Sequence, residues 1–480
     1  MLPLPVFAVF AVFTALIFPV VNADALAQVY GPTAQRILTA GLNHAGSWKL
    51  LEGLCRQFPR RLSGTQVLED AIDWMEKELS LPGVQVQKLP VEVRKWVRGA
   101  ESLSLLEPET VPLVMLGLGN SYGTLVGGIS APVLSVKSFD DLKKQANSVA
   151  GKVVLFNVPY AGYGQTVEYR FRGASEAAKL GAVAALIRSV ATGNPAIAHT
   201  GGLFYEQGVT KIPAAAISHE AADRIQAWLD KKQTVVVKLA MEAHFEAPAL
   251  SHNLIAQIQG SEQPEKVVLI GGHIDAWDVG EGAHDDGSGV AATAQALKLL
   301  AEAIRDGTLK PPRRTVRLVL FTNEENGLAG AKAYAAWLGK ASADHVAVLE
   351  MDHGAEAPRG FGLTLPQGAD PSAYGTAREI LSLLKSVGAD SLAGEGEGAD
   401  IGPLMEQGIP GFSVETVGTH YFDWHHSVED VLENVNPLDL RKHSAAIAVL
   451  AYVLADMPGT LGPAQTLGKV ATPKIYTPHG

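Results

Sequence analysis

The 480-residue chain has a single cysteine, Cys55. It therefore has no internal disulfide, and a chain of this length that is 47% hydrophobic must rely on a large buried core, in more than one domain. Cys55 lies in the helical pattern LEGLCRQF and reads as an inert buried thiol rather than a nucleophile. Surplus positive charge is also missing. The 39 Lys and Arg are outnumbered by 50 Asp and Glu, for a net charge of −11. That excludes the basic footprint of a nucleic-acid binder. Internal repeats are absent, and past the N-terminus no apolar run is long enough to cross a bilayer.

The N-terminus is the exception. Met1 to Val21 is almost wholly apolar and carries no charged side chain. Ala23-Asp24-Ala25 and Ala25-Leu26-Ala27 have the small-residue pattern of a signal-peptidase site. A basic n-region is lacking, and the run approaches the roughly 20 residues of a membrane span. A cleaved signal over residues 1–27, with a secreted or periplasmic location, is expected over a retained anchor. Pro3, Pro5 and Pro19 argue against a buried helix there.

Residues 34–58 form a helical pattern, 67–81 a second amphipathic helix and 84–93 a strand. Between 121 and 245 short strands recur, at 131–136, 152–157, 182–188 and 211–216, which reads as an inserted β-rich domain. After 250 the alternation is regular. Strands at 267–270, 316–321, 346–351 and 411–414 alternate with helices at 290–303, 328–338 and 373–387. Asn436 caps a final helix with Pro437 in its first turn. Continuous apolar strands between helices predict an α/β fold: a mixed, mainly parallel sheet sandwiched by helices. The expected division is 28–120 and 246–456 for the main domain, 121–245 for the insertion and 457–480 for a loose tail.

The chemistry concentrates between His273 and His426. His273 follows strand 267–270 through Gly271-Gly272, at a carboxyl strand end where open α/β sheets build sites. Asp275 could accept a hydrogen bond from the second imidazole nitrogen and fix its tautomer. Asp285 and Asp286, in AHDDGSG, open helix 290–303. Acids at a helix start can be simple caps, or one carboxylate there can bridge two cations. Glu324 and Glu325, in NEENG, follow strand 316–321; one could bind metal while the other stays free as a general base. Asp352 ends strand 346–351, and His426 lies in FDWHHSVED after strand 411–414. Four strand ends and one helix start thus bring ligand-type side chains to one sheet edge, the pattern of a metal-dependent hydrolase.

The blocks HID, DDGSG, NEENG, MDHG and HHSVED resemble the co-catalytic zinc exopeptidases, the family of secreted bacterial aminopeptidases, glutamate carboxypeptidase and carboxypeptidase Q. The resemblance covers residues 28–456. HIDAWDVGEGAHDDGSG, GEGADIGPL and the pair His425-His426 are closest to the carboxypeptidase Q type. GKVVLFNV, LGAVAALI and IPAAAIS resemble the protease-associated domain found inside several secreted peptidases. The resemblance implies two zinc ions per chain, with His273 and Asp352 on one and Glu325 and His426 on the other. It makes Asp285 rather than Asp286 the bridging carboxylate. Glu324 becomes the general base and Asp275 the residue that orients His273. His426, directly before Ser427, is the implied ligand, which leaves His425 to bind substrate or an oxyanion. A hydroxide bridging the zincs, short peptide or dipeptide substrates and a homodimer are implied as well. Family members cleave from either peptide end. Capture of a terminal carboxylate would need a cation such as Arg359 or Arg378. The complete ligand set disfavours two alternatives, a single-zinc glutaminyl-cyclase type and an inactive binding protein.

Overall fold

The computed structural model describes residues 23–461. Most of the expected signal segment and of the tail lies outside the described residues. Leu26 is buried in the main core, and the Ala27 N–H donates to Glu379 Oε1 at 3.0 Å, so both belong to the fold. No helix among the described residues is long and apolar enough to cross a membrane.

An eight-stranded sheet forms the centre. Its order is Val84–Val93, Ala249–Ile258, Arg314–Phe321, Gln263–His273, His345–Glu350, Gly411–Thr416, Pro358–Thr364, Ser391–Leu392. The four middle strands, Arg314–Phe321 to Gly411–Thr416, run parallel, and antiparallel neighbours flank them. Side chains alternate between the faces as a pleated strand requires. Val268 and Ile270 meet helices Ser288–Arg305 and Pro437–Asp456, whereas Leu269 faces Tyr334 and Leu404 on the other side. Pro437–Asp456 is buried almost all round from Leu440 to Ala455, so its apolar character extends beyond a single stripe. Asn436 caps it, with Oδ1 accepting the Leu438 N–H at 2.9 Å.

A second eight-stranded sheet comes from the chain between Val84–Val93 and Ala249–Ile258. Its order is Val111–Leu113, Glu101–Glu107, Val236–Met241, Ile129–Val136, Val153–Phe156, Ala184–Arg188, Ala214–Ile217, Met115–Gly117. It has a separate apolar cluster on each face. The short pair Trp96–Val97 and His244–Phe245 ties its entry to its exit.

The fold class agrees with the sequence reading, and the differences are local. The second sheet begins at Glu101, not 121, because the short strands up to Gly117 pair with it. The helical pattern 34–58 is two helices, Ala23–Asn43 and Gly46–Gln57. They break where Gly46 passes against the Gln295 amide, leaving no room for a Cβ. Strand Ala249–Ile258 went unread because polar Ser251 and Asn253 interrupt its apolar pattern. Both are fully buried and bind the turn after Phe321: Ser251 Oγ lies 2.8 Å from Thr322 Oγ1, and Asn253 Nδ2 donates to the Gly330 carbonyl at 2.8 Å.

Candidate metal centre

Each candidate ligand leaves the carboxyl edge of the main sheet. His273 is the last residue of Gln263–His273, and Asp352 lies two residues beyond His345–Glu350. Glu324 and Glu325 follow Arg314–Phe321 in a turn that Asn323 makes at φ 66°, its carbonyl accepting the Leu328 N–H at 2.6 Å. Asp285 sits in the wide turn Ala283–Gly287, outside helical geometry at φ −117°, ψ 96°. All five side chains are at least nine-tenths buried.

Asp285 joins two groups. Its Oδ1 lies 3.2 Å from His273 Nε2, and its Oδ2 lies 3.0 Å from His426 Nε2. His273 Nε2 is also 3.3 Å from Asp352 Oδ1, and His426 Nε2 is 3.1 Å from Glu325 Oε2. One carboxylate therefore spans a His273–Asp352 pair and a His426–Glu325 pair. Asp286 behaves differently. It also lies within reach of His273 and Asp352, but its two oxygens accept the main-chain N–H groups of His273 at 3.1 Å and Gly289 at 3.0 Å.

Asp275 acts through two different atoms. Its main-chain carbonyl, not its carboxylate, faces His273 Nδ1 at 2.9 Å, while the nearer carboxylate oxygen is 3.8 Å away. The carboxylate instead accepts the Glu324 N–H at 3.1 Å, the Glu325 N–H at 3.4 Å and the Ser63 hydroxyl at 3.0 Å. The expected orientation of His273 thus comes from the peptide carbonyl, and the side chain fixes the glutamate turn. Glu324 Oε2 is 4.0 Å from His273 Nε2.

Several supporting residues were not read from the sequence. Arg61 is fully buried and donates to the carbonyls of Phe58, Ile274, Glu281 and Gly282, which clamps both ends of the loop between His273 and Asp285. Asp430 accepts the His284 N–H at 2.7 Å and the Asp285 N–H at 3.2 Å. Burial, aided by the charge on Asp285, pushes its carboxyl up to about 7. Asp430 ends the HHSVED block, so a signal was present. Arg61 had only its turn-like context. Arg359 and Arg378 are exposed, and no contact joins them to the centre among the described residues. His425 stacks on His426 with ring centroids 3.5 Å apart, and its Nε2 is 3.6 Å from Asp285 Oδ2.

The donor set fits a pair of divalent cations. It offers imidazole nitrogen and carboxylate oxygen, the ligands that zinc takes. Both Asp285 oxygens face imidazole nitrogens inside a buried site. Without metal, protons supply the balancing charge. Burial opposes a charged His273, but Asp352 and Asp285 outweigh it and hold the imidazole well above its ordinary range. For Asp285 burial is overcome by His273 and His426, which keep its carboxyl well below the usual range. Metal binding must displace such protons.

The profile of peptidase family M28 matches residues 253–451. Mouse carboxypeptidase Q is 42% identical over 399 residues, covering 83% of each chain. The chain belongs to peptidase family M28. The structure of a family M28 peptidase precursor from Shewanella amazonensis superposes with a TM-score of 0.84 at 34% identity, over 92% of this chain and 99% of that one. A zinc aminopeptidase from Bacillus subtilis shares the fold, with a TM-score of 0.63 at 18% identity over 87% and 96% of the two chains. This member of family M28 is a metallopeptidase.

Proposed function

We propose that this chain is a secreted, zinc-dependent exopeptidase that hydrolyses short peptides, dipeptides among them, with two zinc ions per chain. His273 and Asp352 would hold one ion and Glu325 and His426 the other, with Asp285 shared between them. Zinc held there would polarise the scissile carbonyl and make water acidic enough to attack near neutral pH. Glu324 stays unligated, takes the proton from the attacking water and returns it to the leaving amine. Asp275 holds this base in place through the Glu324 and Glu325 N–H groups and fixes the His273 tautomer through its carbonyl. The observation that carries the reading is Asp285, whose two oxygens reach histidines from two separate chain segments at 3.2 and 3.0 Å.

The 42% identity to mouse carboxypeptidase Q favours the carboxypeptidase or dipeptidase form over an aminopeptidase. A homodimer is proposed on the same ground. Cleavage after Ala25 is favoured over Ala27, since it leaves Leu26 and Ala27 in their packed positions. The second sheet is proposed to be an inserted protease-associated-type domain. The test is Glu324→Gln. Turnover should fall by at least 10²-fold, the scale of general-base loss, while two zinc ions per chain remain bound. Loss of zinc in this variant would instead assign Glu324 as a ligand and Glu325 as the base.

A further inference from the structure

The loop that carries His426 is held from the second sheet. After Ala184–Arg188 the chain leaves that sheet and runs along residues 421–429. There the Thr192 N–H donates to the Phe422 carbonyl at 3.0 Å, and Thr192 Oγ1 donates to Asp423 Oδ1 at 2.6 Å. His199 Nδ1 meets the His425 carbonyl at 2.7 Å, and the Thr200 N–H donates to the His426 carbonyl at 2.9 Å. A carbonyl only accepts, so Nδ1 of His199 carries the proton. His199 is 2% exposed, and this ring bond ties it to the ligand loop.

His426 needs that support. Its φ of 60° is left-handed, a conformation that costs a non-glycine residue about 1 kcal/mol or more and persists only where the surroundings fix it. The other half of the centre rests elsewhere. His273 leans on the Asp275 carbonyl at the end of a main-sheet strand, and Asp352 lies two residues beyond another.

We propose that the second sheet is a structural part of the metal centre, with His199 as the positioning residue for the half formed by His426 and Glu325. Metal affinity in that half is set by the Thr192–Thr200 contacts, and affinity in the His273–Asp352 half is not. The inference rests on the two-ion reading above.

The test compares wild type with His199→Leu and His199→Asn. Zinc affinity is read by competition with a chromophoric chelator, and site occupancy by the absorption of the cobalt-substituted protein. Wild type should show two sites. His199→Leu should weaken one site by about 10- to 100-fold, the usual effect of losing an outer-shell partner, and leave the other unchanged. His199→Asn keeps an N–H near the His425 carbonyl and should retain both sites. Should His199→Leu fail to fold, Thr192→Val removes only the Asp423 contact and should weaken the same single site. Two wild-type affinities in the leucine and valine variants, or equal weakening of both sites, would overturn the proposal. Fewer than two ions on wild type would overturn the two-ion reading itself, and this inference with it.

Discussion

At the residue scale, the centre depends on side chains that do unlike jobs in adjacent positions. Asp285 faces two histidines, and Asp286 accepts main-chain N–H groups, although the sequence presents them as a pair. Glycine makes the division possible. A Cβ at Gly289 would run into the Met351 carbonyl and the Asp286 carboxylate, and one at Gly272 would meet the same carboxylate. Gly289→Ala should therefore cost about 1–3 kcal/mol through overpacking. It should also weaken zinc binding, because Asp286 anchors the His273 main chain. Thermal melting with and without zinc checks both, and an unchanged melting temperature would remove Asp286 from this role. The five proposed ligands are legible because each sits in a short polar block, Asp285 at the start of a helix and the others after apolar strands. The supports of those ligands are not. Arg61 acts on carbonyls more than 200 residues away in sequence, and Asp275 reaches His273 through a peptide oxygen that no side-chain pattern reveals. Cys55 is buried, and burial pushes its thiol up to about 12, in keeping with an inert role.

At the element scale, strands and helices with strong local signals stand where the sequence put them. The final helix is the clearest case, with Asn436 at its cap and Pro437 at its first position. This helix lies against Ser288–Arg305, the helix that Asp285 and Asp286 open, and both contribute to the main apolar core. Asn436→Ala should remove the bonds to Leu438 and Asp439 and cost about 1 kcal/mol, visible as a lower denaturation midpoint with unchanged zinc content. Loss of zinc in that variant would mean that the cap is coupled to the centre. Two strands without a clean period are not read from the sequence. Ala249–Ile258 hides buried polar residues that serve the glutamate turn, and Glu101–Glu107, inside the span expected for the main domain, pairs in the second sheet. Tertiary pairing decided both.

At the scale of the whole molecule, the two ends of the main sheet differ in character. The carboxyl edge gathers buried charge. The amino edge is quiet, and His345 there is buried, with Nδ1 facing the Ser342 carbonyl at 3.2 Å and Nε2 facing the Tyr334 hydroxyl at 3.0 Å. Burial, helped by Arg317, lowers this imidazole to about 4. In the unfolded chain it would titrate near 6.5. Between those values the unfolded state binds a proton that the folded state refuses, so the contribution is complete above pH 6.5 and is lost as pH falls toward 4. His345→Gln removes this titration. The stability gap between wild type and variant should shrink as pH drops from 7 to 4, by roughly 3 kcal/mol at most. A gap that stays constant or widens in urea titrations would contradict this.

Whether the sheet edge is a metal-dependent exopeptidase site is decided by a dipeptide panel. Each dipeptide is offered free, N-acetylated or C-amidated, before chelation, after chelation and after added zinc. The expected result is hydrolysis of free dipeptides that chelator abolishes and zinc restores, with activity lost on C-amidation. Hydrolysis indifferent to chelator, or none at all from protein carrying zinc, would mean that the sheet edge is not such a site.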